Sequence, residues 1–288
     1  MKKIIPFALS LLLMFGLTSC DMLTNHDESP EGTGKLTVLL TDAPFPIDLV
    51  SEAKVSIDSV VIRRTGESDL GNPFITVTTE AATYDLLTLQ NGVTATLAEL
   101  NVPEGDYDLI RLYVDSASVT LRDGDSFEAF VPSGAQTGIK VFIEPEISVQ
   151  GGLTSELLLD VDVSKSFILK GNMFAPAGVN GFNFKPVIRA VNLSSAGRIT
   201  GTVRDSTGSA VSNKTQVWAA RDTVVSNTFT DDDGSYALTG LPEGNYTVGT
   251  VLHGDTVSTS GVEVVAGNAT ELDLHWSPGN GKSAGSGD

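Results

Sequence analysis

Apolar and polar residues alternate with a period of two along most of this chain, which is the spacing of half-buried β-strands. In the segment 53–63, Val55 and Ile57 share one phase and Val60 and Ile62 the other. The change of phase at Asp58-Ser59 predicts one strand interrupted by a bulge. Similar alternation predicts strands at 35–41, 74–79, 83–87, 107–114, 118–121, 126–131, 139–143, 147–150, 156–163, 166–169 and 185–193. Beyond the N-terminal segment no run of ten or more residues keeps a helical period. So many strands exceed one flat sheet, and the expectation is an all-β chain folded as two-layer sandwiches.

One turn signal occurs twice. Leu100-Asn101-Val102-Pro103-Glu104-Gly105-Asp106-Tyr107 leads into an apolar strand to Val114, and Leu241-Pro242-Glu243-Gly244-Asn245-Tyr246 leads into Thr247-Val248. Proline fixes φ, glycine supplies a positive φ, and the tyrosine that follows is delivered to a strand start. There its ring packs inward and its hydroxyl reaches a nearby backbone group, as in a tyrosine corner. Two copies predict two sandwich domains in tandem. In the first, Ile110, Leu112 and Val114 share one face. Tyr107, Leu109, Arg111 and Tyr113 take the other, which is expected to be partly covered, with an acidic partner for Arg111.

The 288 residues suffice for two full cores. Acidic residues outnumber basic ones 36 to 18. Such a surface repels nucleic acid, so no nucleic-acid role is expected; it keeps a chain soluble, or gathers divalent cations. The single cysteine is Cys20. Lys2 and Lys3, an apolar core from Ile4 to Phe15, and then Leu17-Thr18-Ser19-Cys20 resemble the signal peptide and lipobox of bacterial lipoproteins. The apolar run is too short to span a bilayer. The resemblance implies cleavage after Ser19, lipidation of Cys20 and attachment to a membrane of the cell envelope, on the periplasmic or surface side, with the outer membrane favoured. Residues 20–33 then read as a flexible acidic tether. With no second cysteine, both cores must be stable without disulfides.

Five further segments occur in a recognisable order: Thr41-Asp42-Ala43-Pro44, Tyr107 to Leu112, Pro132 to Lys140, Leu159 to Ser166, and Lys185-Pro186-Val187-Ile188-Arg189-Ala190. In this order they resemble a prokaryotic lipoprotein family known as domain of unknown function 4382, over 34–193. The resemblance implies a secreted β domain and no activity. The segment Asn172 to Asn183 departs from it as a longer loop. After a linker at 194–197, Ile199 to Val203, Thr230 to Tyr236, Leu241 to Tyr246 and Glu271 to Trp276 resemble the carboxypeptidase regulatory-like domain over 198–276. That resemblance implies a seven-stranded prealbumin-type, immunoglobulin-like sandwich. The tail 277–288 reads as disordered.

Candidate chemistry is sparse. Asp42, Arg111, Lys140, Asp160, Asp162, Lys165 and Lys185 are charges within apolar segments, where they must be paired or liganded. They form either a polar pocket for an anionic or hydroxylated ligand or a salt-bridge network that fixes strand register. Asp231 and Asp233, in Asp231-Asp232-Asp233-Gly234, are candidate calcium ligands, against a plain hairpin turn; no cofactor other than calcium is expected. Gly124-Asp125-Ser126-Phe127 looks like an esterase nucleophile block but sits in a hairpin, and His26, His253 and His275 are poorly placed to serve it. Trp276 follows Leu272 and Leu274 in the core phase. Trp218 is out of phase with Val217 and Ala219, which suits sugar stacking or packing between domains.

The expected function is therefore a non-enzymatic, lipid-anchored envelope protein acting as a binding or structural module, with glycan as ligand class. The alternative is a protein-docking or adhesin-type component that pairs with another envelope protein through free strand edges. A hydrolase would need two carboxylates about 5 to 10 Å apart in a cleft.

Overall fold

The structure, a computed structural model, describes residues 32–43, 49–68, 73–131, 134–172, 178–211 and 214–277. The signal segment, Cys20, His26 and most of the tether lie outside the described residues, as does the tail from 278. Among the described residues no helix is long and apolar enough to cross a membrane. The chain is all-β, as its alternation predicts.

The first sandwich contains β1 (Thr33–Ala43), β2 (Val50–Arg64), β3 (Phe74–Thr78), β4 (Ala82–Asp85), β5 (Ala95–Pro103) and β6 (Gly105–Leu121). It continues with β7 (Ser126–Phe130), β8 (Ile139–Val149), β9 (Thr154–Asp162), β10 (Phe167–Gly171), β11 (Val179–Phe184) and β12 (Ile188–Asn192). One layer runs β5-β1-β9-β12, with β9 parallel to β1 and antiparallel to β12. The other is built on the long pair β2 and β6, flanked by β3 and β4 on one side and by β7, β11 and β10 on the other. Strand β8 belongs to both layers: it pairs with β6 and meets β12 at Ala190↔Ile143. Leu40, Val161 and Ile188 of the first layer meet Val55, Ile57, Leu112 and Val114 of the second.

The bulge in β2 falls where the alternation changes phase. Ile57 faces Val114 and Ser59 faces Tyr113, so Asp58 is left over, and Val55, Ile57, Val60 and Ile62 are all buried. The structure departs from the expected strands in five places. The strands expected at 107–114 and 118–121 are one strand, β6, and those at 139–143 and 147–150 are one strand, β8. A bulge between Tyr107 and Leu109 opposite β8 shifts the phase of β6, so Tyr107 joins Ile110 and Leu112 in the core rather than lying on the Arg111 face. Residues 95–103 form an edge strand paired with β1 from Thr33↔Pro103 to Leu40↔Ala95. Finally, the segment Asn172 to Asn183, expected to be loop, lies outside the described residues at 173–177 and from Val179 belongs to β11, hydrogen-bonded to β10 from Phe167↔Phe184 onward.

A single 3-10 turn, Leu193–Ser195, capped by Asn192 Oδ1, leads into the second sandwich. This contains β13 (Ala196–Arg204), β14 (Gln216–Arg221), β15 (Thr223–Phe229), β16 (Ser235–Pro242), β17 (Gly244–Leu252), β18 (Asp255–Val264), β19 (Ala269–Glu271) and β20 (Leu274–His275). The sheets are β16-β13 with β19 and β20 beside β13, and β15-β14-β17-β18. The last of the seven strands implied by the resemblance is thus broken into β19 and β20. Ile199, Val217, Leu238, Tyr246 and Val248 are at the centre of a core separate from that of the first sandwich.

Candidate functional site

Both Pro-Glu-Gly turns form the same corner. Gly105 and Gly244 adopt φ of +144° and +143°, and Tyr107 and Tyr246 each donate a 2.7 Å hydrogen bond to the carbonyl four residues back, Pro103 and Pro242. An arginine from a neighbouring strand closes each corner: Arg64 donates to Glu104 O, and Arg221 donates to Glu243 O and to the Tyr246 hydroxyl. In both, a Cβ on the glycine would collide with that guanidinium. Burial raises the pKa of both tyrosines, and the adjacent arginine offsets it in part. These corners are architectural, and the closing arginines carried no signal in sequence.

The charged set is not one pocket. Arg111 and Lys140 face each other across β6 and β8, with the Arg111 guanidinium 4.1 Å from the centre of the Phe74 ring. Arg111 thus meets an aromatic face in addition to any acidic partner expected for it. Lys185 is exposed. Asp42, Asp160, Asp162 and Lys165 gather at the C-terminal ends of β1 and β9. Asp162 caps the one-turn helix Val163–Ser166, accepting from Lys165 N, and pairs with Lys165 Nζ at 2.6 Å. Asp42 is buried and accepts from Val163 N at 3.4 Å and Gln90 Nε2 at 3.5 Å. Burial first, and then the neighbouring Asp160 carboxylate, push its pKa well above the carboxylate range. Asp160 is also buried and also raised by burial, although Arg189 partly offsets this through a 2.7 Å ion pair.

Arg189 is the residue that ties this cluster to the rest of the molecule. Its Nη2 holds Asp160 while its Nη1 donates to Gly240 O of β16 at 2.7 Å. A second contact reaches the same edge of β16. Asn91, with φ of 58° in an Asn-Gly turn, accepts from Ala237 N at 2.6 Å and donates to Ser235 O and Asp231 Oδ2. Between these polar contacts Leu39, Leu158 and Val191 of the first sandwich pack with Leu193 and Ala196. A Cβ on Gly240, where φ is +63°, would press on Leu158 and Val191. Beside this contact lies a cleft of about 300 Å³ edged by Glu156, Arg198, Thr239 and Asn268. Sequence reasoning missed both Arg189 and Asn91 as contact residues. Arg189 stands in the segment Lys185 to Ala190, and Asn91-Gly92 is a turn dipeptide.

The remaining candidates lie apart. Asp231 and Asp233 belong to the turn between β15 and β16, where both accept from Ser235 N and Gly234 N bonds Asp231 O. Gly124 to Ser126 forms the β6–β7 hairpin, closed by Leu121 N to Asp125 O at 2.8 Å. His253 and His275 lie in the second sandwich, and the His253 ring is 4.9 Å from that of Trp276. Trp276 is half-buried and packs on His253 outside the core cluster, a correction to its expected place. Trp218 is half-buried on β14 and lies over Gly249 of β17, where a Cβ would come within 2.6 Å of the indole. Among the described residues no group of three or more His, Cys, Asp or Glu side chains is placed to hold a metal ion.

No curated protein matches the chain. Among solved structures it is similar to the Bacillus anthracis TIE protein, with 12% identity over 84% of this chain and 40% of that one, at a TM-score of 0.24. It is also similar to BcpA, the major pilin subunit of Bacillus cereus, with 9% identity over 84% and 69% at 0.23. The shaft pilin spaA from Lactobacillus rhamnosus GG gives 10% identity over 85% and 98% at 0.23. The chain therefore spans about 40% of the first of these proteins, and likenesses this distant assign no function to it. Residues 198–277 match the carboxypeptidase regulatory-like domain. Residues 33–186, more than half of the chain, match the family described as domain of unknown function (DUF4382), and the chain belongs to that family.

Proposed function

We propose that this protein is a non-enzymatic structural and docking module of the cell envelope, anchored through a lipidated Cys20 and holding two joined sandwiches off the membrane. The observation that carries this reading is Arg189, shared between Asp160 of the first sandwich and Gly240 of the second. The Asp160 carboxylate is thereby engaged in the contact between the two sandwiches. The test has two parts. Mass spectrometry of the mature protein should find residues 1–19 removed and Cys20 modified; an intact leader or a free thiol contradicts the anchor. Crosslinking in intact cells should then trap the protein against another envelope protein.

A glycan-binding reading rests on a different observation, the half-buried Trp218 on the outer side of its sheet. A glycan array probed with the soluble protein from Gly34 onward, with calcium and with chelator, separates the two. Binding lost in Trp218→Ala favours the glycan reading, and no binding in either condition favours docking.

A further inference from the structure

The first and last strands of the second sandwich are neighbours running in the same direction. β13 pairs in parallel with β19, from Arg198↔Ala269 to Thr200↔Glu271, and then with β20 at Val203↔Leu274 and Arg204↔His275. Alternate residues of β13 are bonded across this seam. Gly267 N donates to Ala196 O at 2.8 Å, Arg198 N to Asn268 O at 3.0 Å, Leu272 N to Thr200 O at 2.8 Å and Trp276 N to Arg204 O at 2.9 Å. The gap between the two short strands is filled by a side chain. Asp273 Oδ1 accepts from Thr202 N and from the Thr202 hydroxyl, both at 2.8 Å, and stands in for the carbonyl that a continuous strand would supply. The Tyr236 hydroxyl holds Leu272 O from the other side of β13 at 2.6 Å.

We infer that this seam is a mechanical clamp and that the second sandwich bears tension applied between its two ends. The chain enters the seam at Ala196 and leaves it past Trp276, at opposite ends of two parallel strands. Tension drags β13 toward its N-terminus and β20 toward its C-terminus. The strands can separate only by sliding, which loads all the crossings at once. The first sandwich is wired the other way. β1 and β12 flank β9, β1 parallel and β12 antiparallel to it, so the start of β1 and the end of β12 leave from the same end of the layer. Tension there opens β1 from its start, undoing its bonds to β9 and β5 one after another, beginning at Lys35↔Thr154 and Thr33↔Pro103. Forced unfolding is governed by the barrier to the first rupture, so the two sandwiches should part at different loads. This inference goes beyond the envelope role above and holds whether or not Cys20 is lipidated.

Single-molecule pulling on the full chain, with handles at its two termini, tests it. The longer extension, from the first sandwich, should appear at low force and the shorter one, from the second, last and at the highest force. Moving the N-terminal handle to Thr207→Cys in a Cys20→Ser background places both attachment points at the same end of the seam. The second sandwich should then open at a clearly lower force than in the end-to-end geometry. Asp273→Ala should lower the force in the end-to-end geometry and leave the peeling force nearly unchanged. Equal forces in the two geometries, or a second sandwich that opens before the first, would overturn the inference. The comparison of geometries stands even if Asp273→Ala does not fold, because it leaves the seam unaltered.

Discussion

Among the described residues, the first sandwich buries carboxylates, whereas the buried polar residues of the second all carry hydroxyls. Asp42 and Asp160 are buried in the first, whereas the buried polar residues of the second are Thr215, Ser226, Thr228, Thr230 and Thr250. Both use the same tyrosine corner, so local turn chemistry does not account for the difference. Of the two buried carboxylates, Asp160 lies where the first sandwich meets its neighbour. Asp160 orients Arg189, and Arg189 supplies a donor to a strand edge that would otherwise leave a carbonyl unpaired. The buried Asp160 thus marks the joint between the two sandwiches.

Arg189→Ala should break that joint most severely. It leaves Asp160 buried without its cation, at a cost of about 2–4 kcal/mol to the first sandwich, and it frees Gly240 O. Calorimetry should show the first sandwich melting earlier and two transitions more widely separated. Asn91→Ala removes the second contact on β16 and should cost about 1–2 kcal/mol. Its signature is faster amide exchange at Ala237, with the second core still protected.

Tyr107→Phe and Tyr246→Phe probe what the sandwiches share. Each should lose about 1 kcal/mol, with the Tyr246 variant losing more because its hydroxyl also accepts from Arg221. Equal losses in denaturant titrations would show that the arginine contributes nothing there.

The smallest effect has the opposite sign. Asp42 has no cation among its hydrogen-bonding partners, and its folded pKa lies above the unfolded value, so the folded chain holds the proton more tightly. Its contribution is most favourable below the unfolded carboxyl value of about 3.9 and is lost as pH rises through the folded value. Asp42→Asn should therefore stabilise the protein by up to about 1 kcal/mol at pH 7 and by less near pH 4. Urea midpoints at the two pH values check this. A destabilised variant at pH 7 would mean that the carboxylate is compensated.

The residues most legible in the sequence are those whose structure is local. The phase change at Asp58-Ser59 yields the β2 bulge, and each Pro-Glu-Gly-x-Tyr segment yields its corner, because neighbouring residues alone determine them. Strand β5 was hidden because its apolar residues break alternation: Leu97 and Ala98 are adjacent and both buried, opposite a bulge between Val38 and Leu39. Strand β11 was hidden because Gly181, at φ of 124°, interrupts a short run that follows a glycine. The candidate site was half legible. The carboxylates of Asp42, Asp160 and Asp162 do gather, but Arg189 and Gly240 are 51 positions apart, and no local pattern announces a pairing of that range.

The contact between the two sandwiches is the feature on which the docking role depends. Spin labels at Asp123→Cys in the first and Ser206→Cys in the second, in a Cys20→Ser background, would report the distance between them by pulsed electron resonance. Joined sandwiches should give one narrow distance distribution, broadened when Arg189→Ala and Asn91→Ala are combined. A broad distribution in the otherwise unaltered chain, or a narrow one that the two substitutions leave unchanged, would contradict this joint.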